Sequence, residues 1–359
     1  MDSLGVADMT SIHDSTIGDA FARTGEFLTG NPMVRADADM RHVLDAQVEL
    51  GAKSLEACLP AEARRQPTLE DAVRKVLERA GREPDDQGVD VDDIVITGPE
   101  GEISAKVYRS RMMDATATPP MILYIHDGGW IVGSPEKCDA TPRALAKKTG
   151  AVVVSPAYRV APEHKFPAAH DDCYAVWLWL IEEGASLGGD PGKAAVVGEG
   201  AGANIAINIS LQAHAERVAM PVHQVLIHPI AGVDMSTPSY VENMRARPIG
   251  TPTMQWFFRH LLESRAETAD PRLNLVERTD FKGLPPATLV IAEIDPLRSD
   301  GELLGEALHK QGVSVDVRFY EGVTQGFFGL GSVVNKAMFA QSHVANNLVE
   351  AFAASRRKI

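Results

Sequence analysis

The chain has 359 residues, of which 45% are hydrophobic and 23% charged, and its formal net charge is −14. This composition is typical of a globular protein with a sizeable core, and the negative charge argues against nucleic acid and anionic membranes as partners. The N-terminus shows no secretory pattern, and no apolar run is long enough to cross a membrane. The cysteines, Cys58, Cys138 and Cys173, lack metal-type spacing. We therefore expect a cytoplasmic protein with reduced thiols, no metal and no cofactor.

The N-terminal part is predicted to be a loose arm followed by helices. Residues 1–35 show no clean periodicity, with one short helix predicted around 17–27. From residue 37 to residue 80 apolar side chains recur at helical spacing. A capping box at Thr68-Leu69-Glu70-Asp71 predicts that a second helix begins there.

Strand and helix patterns alternate through the rest of the chain. The segments 91–97 and 103–108 alternate in polarity around a turn and predict a β-hairpin. The nearly all-apolar run 120–126 fits a central parallel strand that is buried on both faces. Further strands are predicted over 151–155, 194–197, 224–228, 288–293 and 315–320. Helices are predicted over 140–149, 171–183, 204–215, 299–311 and 335–354. This alternation predicts an α/β fold with a mostly parallel sheet and helices on both faces.

One segment, 231–286, interrupts the alternation. It inserts about fifty residues between two predicted strands and contains an amphipathic helix over 254–262. Insertions over the carboxyl edge of a sheet usually cover a ligand site.

A glycine-rich corner follows the predicted strand 194–197. The sequence Gly198-Glu199-Gly200-Ala201-Gly202 stands between this strand and a helical segment. Strand, sharp turn and helix in this order are the layout of a nucleophile elbow, G-x-S-x-G, where small residues tolerate the strained turn. The frame of the elbow is present, but the central position has no hydroxyl.

A second glycine-rich turn follows the predicted strand 120–126. The sequence His126-Asp127-Gly128-Gly129-Trp130 exposes backbone N–H groups that could hold a developing carbonyl oxyanion. The alternative is a plain tight turn at the end of a strand. The elbow later in the chain favours the oxyanion interpretation.

These stretches resemble the hormone-sensitive lipase family of α/β hydrolases, in its bacterial carboxylesterase branch, from about residue 40 onward. Residues 126–130 look like H-G-G-G-W, and 157–169 look like Y-R-L-A-P-E-H-x-F-P-A-A. Residues 295–298 are similar to D-P-L-R-D, and 320–327 are similar to Y-x-G-x-x-H-G-F. The resemblance implies an α/β-hydrolase fold with a helical cap and a capacity to form homodimers. The implied division is an arm (1–35), cap helices (36–85), a core in two parts (86–230 and 287–359) and a cap insert (231–286).

The resemblance assigns catalytic positions, and most of them lack the expected side chain. It places the nucleophile at Gly200, the base at Gln325 and the acid at Asp295. The oxyanion donors would be the backbone N–H groups of Gly128, Gly129 and Ala201. Losing the nucleophile or the base of a serine hydrolase costs about 10⁶ in turnover, and a glutamine amide accepts no proton near pH 7. His164, His228 and His343 offer no rescue, since none supplies a nucleophile. The sequence thus predicts a degenerate triad, with Gly200→Ser plus Gln325→His as its repair.

Two carboxylates, Asp295 and Glu199, are the candidate acid and base. Each has an alternative role: Asp295 could cap the following helix, and Glu199 could pair with a basic side chain. The pocket is expected to be lined by His126, Asp127, Trp130, Phe327 and Phe328, although the aromatic residues fit a plain core equally well.

Three functions are compatible with these features. The first is a repurposed, non-hydrolytic enzyme (lyase, dehydratase, isomerase or cyclase) that acts on a small carbonyl-containing substrate. The second is a non-catalytic small-molecule receptor, and the third is a weak carboxylesterase that uses a directly activated water. The preserved oxyanion loop favours the first, because a pure binder does not need such donors.

Overall fold

An eight-stranded sheet forms the centre of the computed structural model, which describes residues 30–83, 88–112 and 117–355. Its strands are β1 (Val89–Gly98), β2 (Gly101–Ser110), β3 (Pro120–Ile125), β4 (Val152–Pro156), β5 (Asp190–Glu199), β6 (Gln224–Ile227), β7 (Ala287–Ile294) and β8 (Val315–Thr324). Their order is β1-β2-β4-β3-β5-β6-β7-β8. The hairpin β1–β2 is antiparallel to its neighbour β4, and the other pairs are parallel. The mostly parallel α/β sheet is therefore confirmed.

Helices cover both faces of this sheet. They are α1 (Ala38–Glu49), α2 (Pro60–Ala63), α3 (Leu69–Arg79), α4 (Ala140–Thr149), α5 (Ala168–Glu183), α6 (Ala201–Glu216), α7 (Pro238–Glu242), α8 (Thr251–Leu261), α9 (Arg298–Lys310) and α10 (Asn335–Ser355). Within the described ranges, none of the helices has the length and apolarity needed to cross a membrane. The helix predicted around 17–27 lies outside the described residues.

Strand β3 shows why the central strands lack alternating polarity. Leu123 pairs with Val196 of β5, and its side chain belongs to one apolar cluster. The neighbouring residue Tyr124 points to the opposite face and belongs to a second cluster. Successive side chains of a strand face opposite sides, so a strand covered on both sides needs apolar residues throughout. The prediction for 120–126 is confirmed.

Two N-terminal helices, α1 and α3, form where the sequence pattern predicts them. The capping box is present, with Asp71 N donating to Thr68 Oγ1 at 3.0 Å and Thr68 N donating to Asp71 Oδ2 at 2.7 Å. Between α1 and α3, however, the chain turns and forms only the short α2. Val48 is 52% exposed, because this end of α1 faces a cavity instead of the core.

The carboxyl ends of the parallel strands meet at one edge of the sheet. The loops after β3, β5, β7 and β8 begin with His126, Gly200, Asp295 and Gln325. Residues that are distant in sequence are thereby brought together.

Candidate active site

The loop after β3 places the carboxylate of Asp127 among three backbone amides. Oδ1 of Asp127 accepts hydrogen bonds from the N–H groups of Gly128 at 2.6 Å, Ala201 at 3.1 Å and Gly129 at 3.4 Å. The other oxygen, Oδ2, accepts a hydrogen bond from Nε2 of Gln325. Burial raises the pKa of Asp127, although the amide hydrogen bonds oppose this shift. The three amides that the sequence singles out thus converge on one oxygen atom, which belongs to the chain itself.

Gly200 joins β5 to α6 with a backbone conformation that favours glycine. Its φ is +51° and its ψ is −111°, and its N–H donates to Ile227 O at 2.8 Å. A Cβ added at this position would lie 2.0 Å from Oδ1 of Asp127. Real Cβ atoms do not approach other atoms so closely. The carboxylate of Asp127 therefore occupies the volume that a side chain at position 200 would need.

Gly202 allows α6 to begin against β3. A Cβ at position 202 would lie 2.1 Å from the carbonyl oxygen of Ile125. The N–H groups of a first helical turn have no partners within the helix. The close approach therefore places the N–H of Ala201, which has no partner within the helix, beside the loop that carries Asp127.

The ends of β7 and β8 place Asp295 and Gln325 side by side in the backbone. Ile294 pairs with Thr324, and the two predicted triad residues follow directly. Gln325 reaches Asp127, as described above. Asp295 is buried, and its Oδ1 accepts a hydrogen bond from Leu297 N at 2.8 Å. This contact stabilises the turn before α9, but the N-cap residue of that helix is Leu297, so the alternative in which Asp295 caps the helix is wrong.

His228 lies beside Asp295. Its Nδ1 is 3.8 Å from Oδ2 of Asp295, and neither ring nitrogen nor this oxygen has a hydrogen-bond partner among the described residues. Burial lowers the pKa of His228 to about 3 and raises the pKa of Asp295 well above its ordinary value. Burial therefore opposes the charged form of each group. Asp295 consequently retains an oxygen atom that is available to another partner.

A cavity of about 290 Å³ opens in front of Asp127. Leu44 and Val48 of α1 contribute to its apolar wall, and Arg247 and Pro248 contribute from the insert. The part of the chain between α1 and α3 also lines it. Helices from the N-terminal part and residues of the insert thus frame one site. Among the described residues, no cluster of three or more His, Cys, Asp or Glu side chains could hold a metal ion.

Asp127 separates this cavity from Gly200 and Ala201 of the elbow. Asp127, Gly128 and Gln325 line the cavity, whereas Gly200 and Ala201 do not. A ligand in the cavity therefore meets the carboxylate of Asp127 before it meets the amide of Ala201.

Glu199 lines the same cavity from the end of β5. Its Oε1 accepts a hydrogen bond from the hydroxyl of Tyr124 at 2.8 Å, and burial raises its pKa to about 7, with a further contribution from the charge of Asp127. Glu70 of α3 also lines the cavity, and burial raises its pKa to about 7 as well. Within the described part of the chain, Glu199 has no ion pair with a basic side chain. The ion pair that was the alternative role for Glu199 is therefore not formed in the structure.

We expect Glu199→Gln to stabilise the fold at alkaline pH. A carboxyl group whose folded pKa lies near 7 and whose unfolded pKa lies near 4.5 adds no penalty at low pH. It destabilises the fold progressively as the pH rises through that window, because the unfolded chain then releases its proton more readily. Urea unfolding should show that the variant has a free energy of unfolding about 3 kcal/mol higher than the unchanged protein at pH 8, and no such gain at pH 4.5.

The exposed residue Glu182 provides the matched control for this measurement. Glu182→Gln should change the free energy of unfolding equally little at both pH values. A gain for Glu199→Gln that did not depend on pH would contradict the explanation by titration.

Four of the residues expected to line the pocket lie in the core instead of at the cavity: His126, Trp130, Phe327 and Phe328. The ring of His126 stacks on Tyr158 at 4.2 Å, which fixes it on the far side of the loop. The ring of Trp130 packs 6.1 Å from Phe258 of α8. Asp127 is the one member of the expected set that reaches the cavity.

The sequence pattern missed two features of this site. It indicates that Asp127 lines the pocket, but it does not indicate that the carboxylate binds the amides. In the sequence, Glu70 stands out only as part of a capping box. The signal that could have identified Glu70 is an acidic residue on a helix implied to be part of a cap, but acidic residues are common in first helical turns.

Comparisons with known proteins agree with this architecture. The model of a family described as having the alpha/beta hydrolase fold matches residues 122–329. An ethyl acetate hydrolase from Pseudomonas putida is 32% identical over 77% of this chain and 85% of its own length. Esterase LipI from Mycobacterium tuberculosis is 35% identical over 74% of this chain and 84% of its own length. A solved esterase from Pyrobaculum calidifontis superposes with a TM-score of 0.75 at 34% identity, covering 85% of this chain and 97% of that one.

The matched span contains the strands and loops that carry the backbone amides, Asp127, Glu199 and Gln325. It runs from β3, through the amide-bearing loop and the elbow, to the loop that holds Gln325. On the evidence of its sheet, its elbow and this match over more than half of its length, the chain belongs to the α/β-hydrolase fold family, in the hormone-sensitive lipase-like branch.

Proposed function

We propose that the protein hydrolyses carboxylic esters of small molecules. The observation that carries this proposal is the convergence of three backbone amides on one carboxyl oxygen beside a cavity. Donors placed in this way stabilise the negative charge that develops when a carbonyl group is attacked. The names of the relatives, an ethyl acetate hydrolase and esterases, support the same reaction class.

The sequence-based preference for a non-hydrolytic enzyme is wrong. It rested on the missing hydroxyl at position 200 and favoured a lyase, dehydratase, isomerase or cyclase. Relatives that are 32–37% identical to this chain are instead named hydrolases or esterases.

The attacking group in this proposal is water. Gly200 occupies the elbow and Gln325 the position that the resemblance assigns to the base, so neither offers an alkoxide or an imidazole. A hydrolase without these groups retains a rate enhancement of about 10³ to 10⁴ over water from its oxyanion hole and substrate binding. We therefore expect measurable turnover that is slow compared with that of a serine esterase.

Glu199 is the base in this mechanism. It lines the cavity, and a pKa of about 7 leaves a large ionised fraction at neutral pH while keeping the group basic. The carboxylate takes a proton from water as the water oxygen bonds to the acyl carbon. The amides stabilise the resulting oxyanion once the acyl oxygen has displaced the carboxylate of Asp127 from them. Collapse of the oxyanion expels the alcohol, which takes the proton back from Glu199. Asp295 lies away from the cavity, so we assign it no proton transfer.

The test is the hydrolysis of p-nitrophenyl acetate and butyrate. We expect turnover above the buffer rate that increases with pH through about 7, where Glu199 ionises. Glu199→Gln should lower the rate on the order of 10²-fold and abolish this pH dependence.

Glu182→Gln, on the exposed part of α5, should leave both the rate and the pH profile unchanged. Turnover no higher than in buffer would count against ester hydrolysis itself. Turnover that persists in Glu199→Gln would instead remove Glu199 from the role of base.

A further inference from the structure

We propose that Asp127 is an internal blocking group that closes the oxyanion hole, and that removing its side chain opens this hole to small carboxylates and ester carbonyls. The kinetic part of this inference rests on the proposed function, whereas the binding part does not.

The first argument is occupancy. Oδ1 of Asp127 uses the same three N–H groups, of Gly128, Gly129 and Ala201, that an ester carbonyl would need. Gly200 and Ala201, which lie behind it, do not line the cavity. An incoming carbonyl oxygen therefore has to displace the carboxylate before it can bind these amides.

The second argument is the strength of the contact. An ionised acceptor forms stronger hydrogen bonds with amides than a neutral ester carbonyl does. Asp127 is also covalently attached beside the hole, so it binds without the translational entropy cost that a free ligand incurs. The stronger hydrogen bonds and the smaller entropy cost both favour Asp127 over an ester carbonyl in the oxyanion hole.

The third argument is that Gln325 holds the second carboxylate oxygen of Asp127. Nε2 of Gln325 donates to Oδ2 of Asp127, so the two carboxylate oxygens are held by separate parts of the chain. A histidine at position 325 would be oriented towards an elbow hydroxyl in the resembled family. Here the amide of Gln325 instead stabilises the carboxylate in the hole.

The binding test uses sodium butyrate, whose carboxylate has the same chemistry as the side chain of Asp127. We expect Asp127→Gly to bind butyrate at least about tenfold more tightly than the unchanged protein, as measured by calorimetry or by broadening of the ligand's NMR signals. Asp127→Asn should bind no better than the unchanged protein, because its Oδ1 can still accept from the same amides. Comparing the two variants separates the effect of removing the charge of Asp127 from the effect of removing the side chain that occupies the oxyanion hole.

The kinetic test uses p-nitrophenyl butyrate. Recovering one oxyanion donor is worth about 10² to 10³ in turnover, so Asp127→Gly should raise turnover on the order of 10²-fold. Its pH profile should also shift to lower pH, because the charge of Asp127 helps to raise the pKa of Glu199.

Asp300→Asn is the matched control. The carboxylate of Asp300 is buried and accepts hydrogen bonds from the backbone amides of Ala231 at 3.1 Å and Gly232 at 2.9 Å, but it does not line the cavity. Its replacement should change neither butyrate binding nor the pH profile. Asp127→Ala, which keeps the existing Cβ, provides a second opened variant if Asp127→Gly folds poorly.

The outcomes are distinct. Tighter butyrate binding by the opened variants supports the blocking role even if no ester is hydrolysed. Unchanged butyrate binding in folded Asp127→Gly and Asp127→Ala overturns it. A loss of ester turnover in both opened variants also overturns it, because Asp127 would then take part in the reaction.

Discussion

The combined variant Asp127→Gly/Gly200→Ser/Gln325→His is expected to hydrolyse p-nitrophenyl butyrate at least about 10³-fold faster than the unchanged protein. Removing the nucleophile or base of a serine hydrolase costs about 10⁶ in turnover, so an imperfectly aligned graft should still recover a large share of it. The free oxygen of Asp295 is suitably placed to orient an imidazole at position 325, since Asp295 and Gln325 follow paired residues of β7 and β8.

The informative control is the double variant Gly200→Ser/Gln325→His, which keeps Asp127. A Cβ at position 200 would lie 2.0 Å from Oδ1 of Asp127, so a serine fits there only if this carboxylate leaves the hydrogen bonds that hold it. We expect no gain in turnover and no covalent labelling at position 200 by diethyl p-nitrophenyl phosphate, which mass spectrometry would detect. A double variant as active as the triple variant would show that Asp127 does not obstruct the elbow.

Asp172→Ala is expected to lower the free energy of unfolding by about 3 kcal/mol. The side chain of Asp172 on α5 is 1% exposed and holds Arg159 through Nε at 3.0 Å and Nη2 at 2.8 Å, and it also accepts from the backbone N–H of Arg159 at 2.9 Å. Removing Asp172 leaves the partly buried guanidinium of Arg159 paired with Glu100, which is 70% exposed, and removes the acceptor of the backbone N–H of Arg159. This loss costs more than the pair itself contributes. Urea unfolding followed by circular dichroism measures the change.

Glu163→Ala is the exposed counterpart. Glu163 pairs with Arg64 at 2.5 Å, but its side chain is 55% exposed. Exposed pairs contribute at most about 1 kcal/mol, because water and salt screen them. Equal losses for the two variants would contradict the assignment of the Asp172 effect to burial.

Much of the fold could be predicted because its signals are local. The helix predicted over 140–149 is α4 (Ala140–Thr149), and the apolar run 120–126 is β3 with one extra residue. Boundaries set by tertiary packing were harder to predict. Helix α5 begins at Ala168, three residues before the predicted start, and the short helices α2 and α7 carry too few residues for a periodic pattern.

The candidate site likewise has a part that local sequence signals predict and a part that depends on tertiary packing. The elbow and the amide-bearing turn are short motifs that are visible in the sequence, and the structure brings their N–H groups together. The position of the Asp127 carboxylate depends on how two loops meet, one after β3 and one after β5. No spacing in the sequence reports that distance, so the sequence predicts that two substitutions repair the elbow, whereas the structure indicates that three are needed.

The contact between position 200 and Asp127 also has a consequence for molecular evolution. A serine that arises first at position 200 collides with the carboxylate, whereas a smaller residue that arises first at position 127 only vacates space. The two changes are therefore epistatic, and their order matters. Directed evolution that selects for a serine-dependent esterase from this chain should fix a substitution at position 127 before one at position 200.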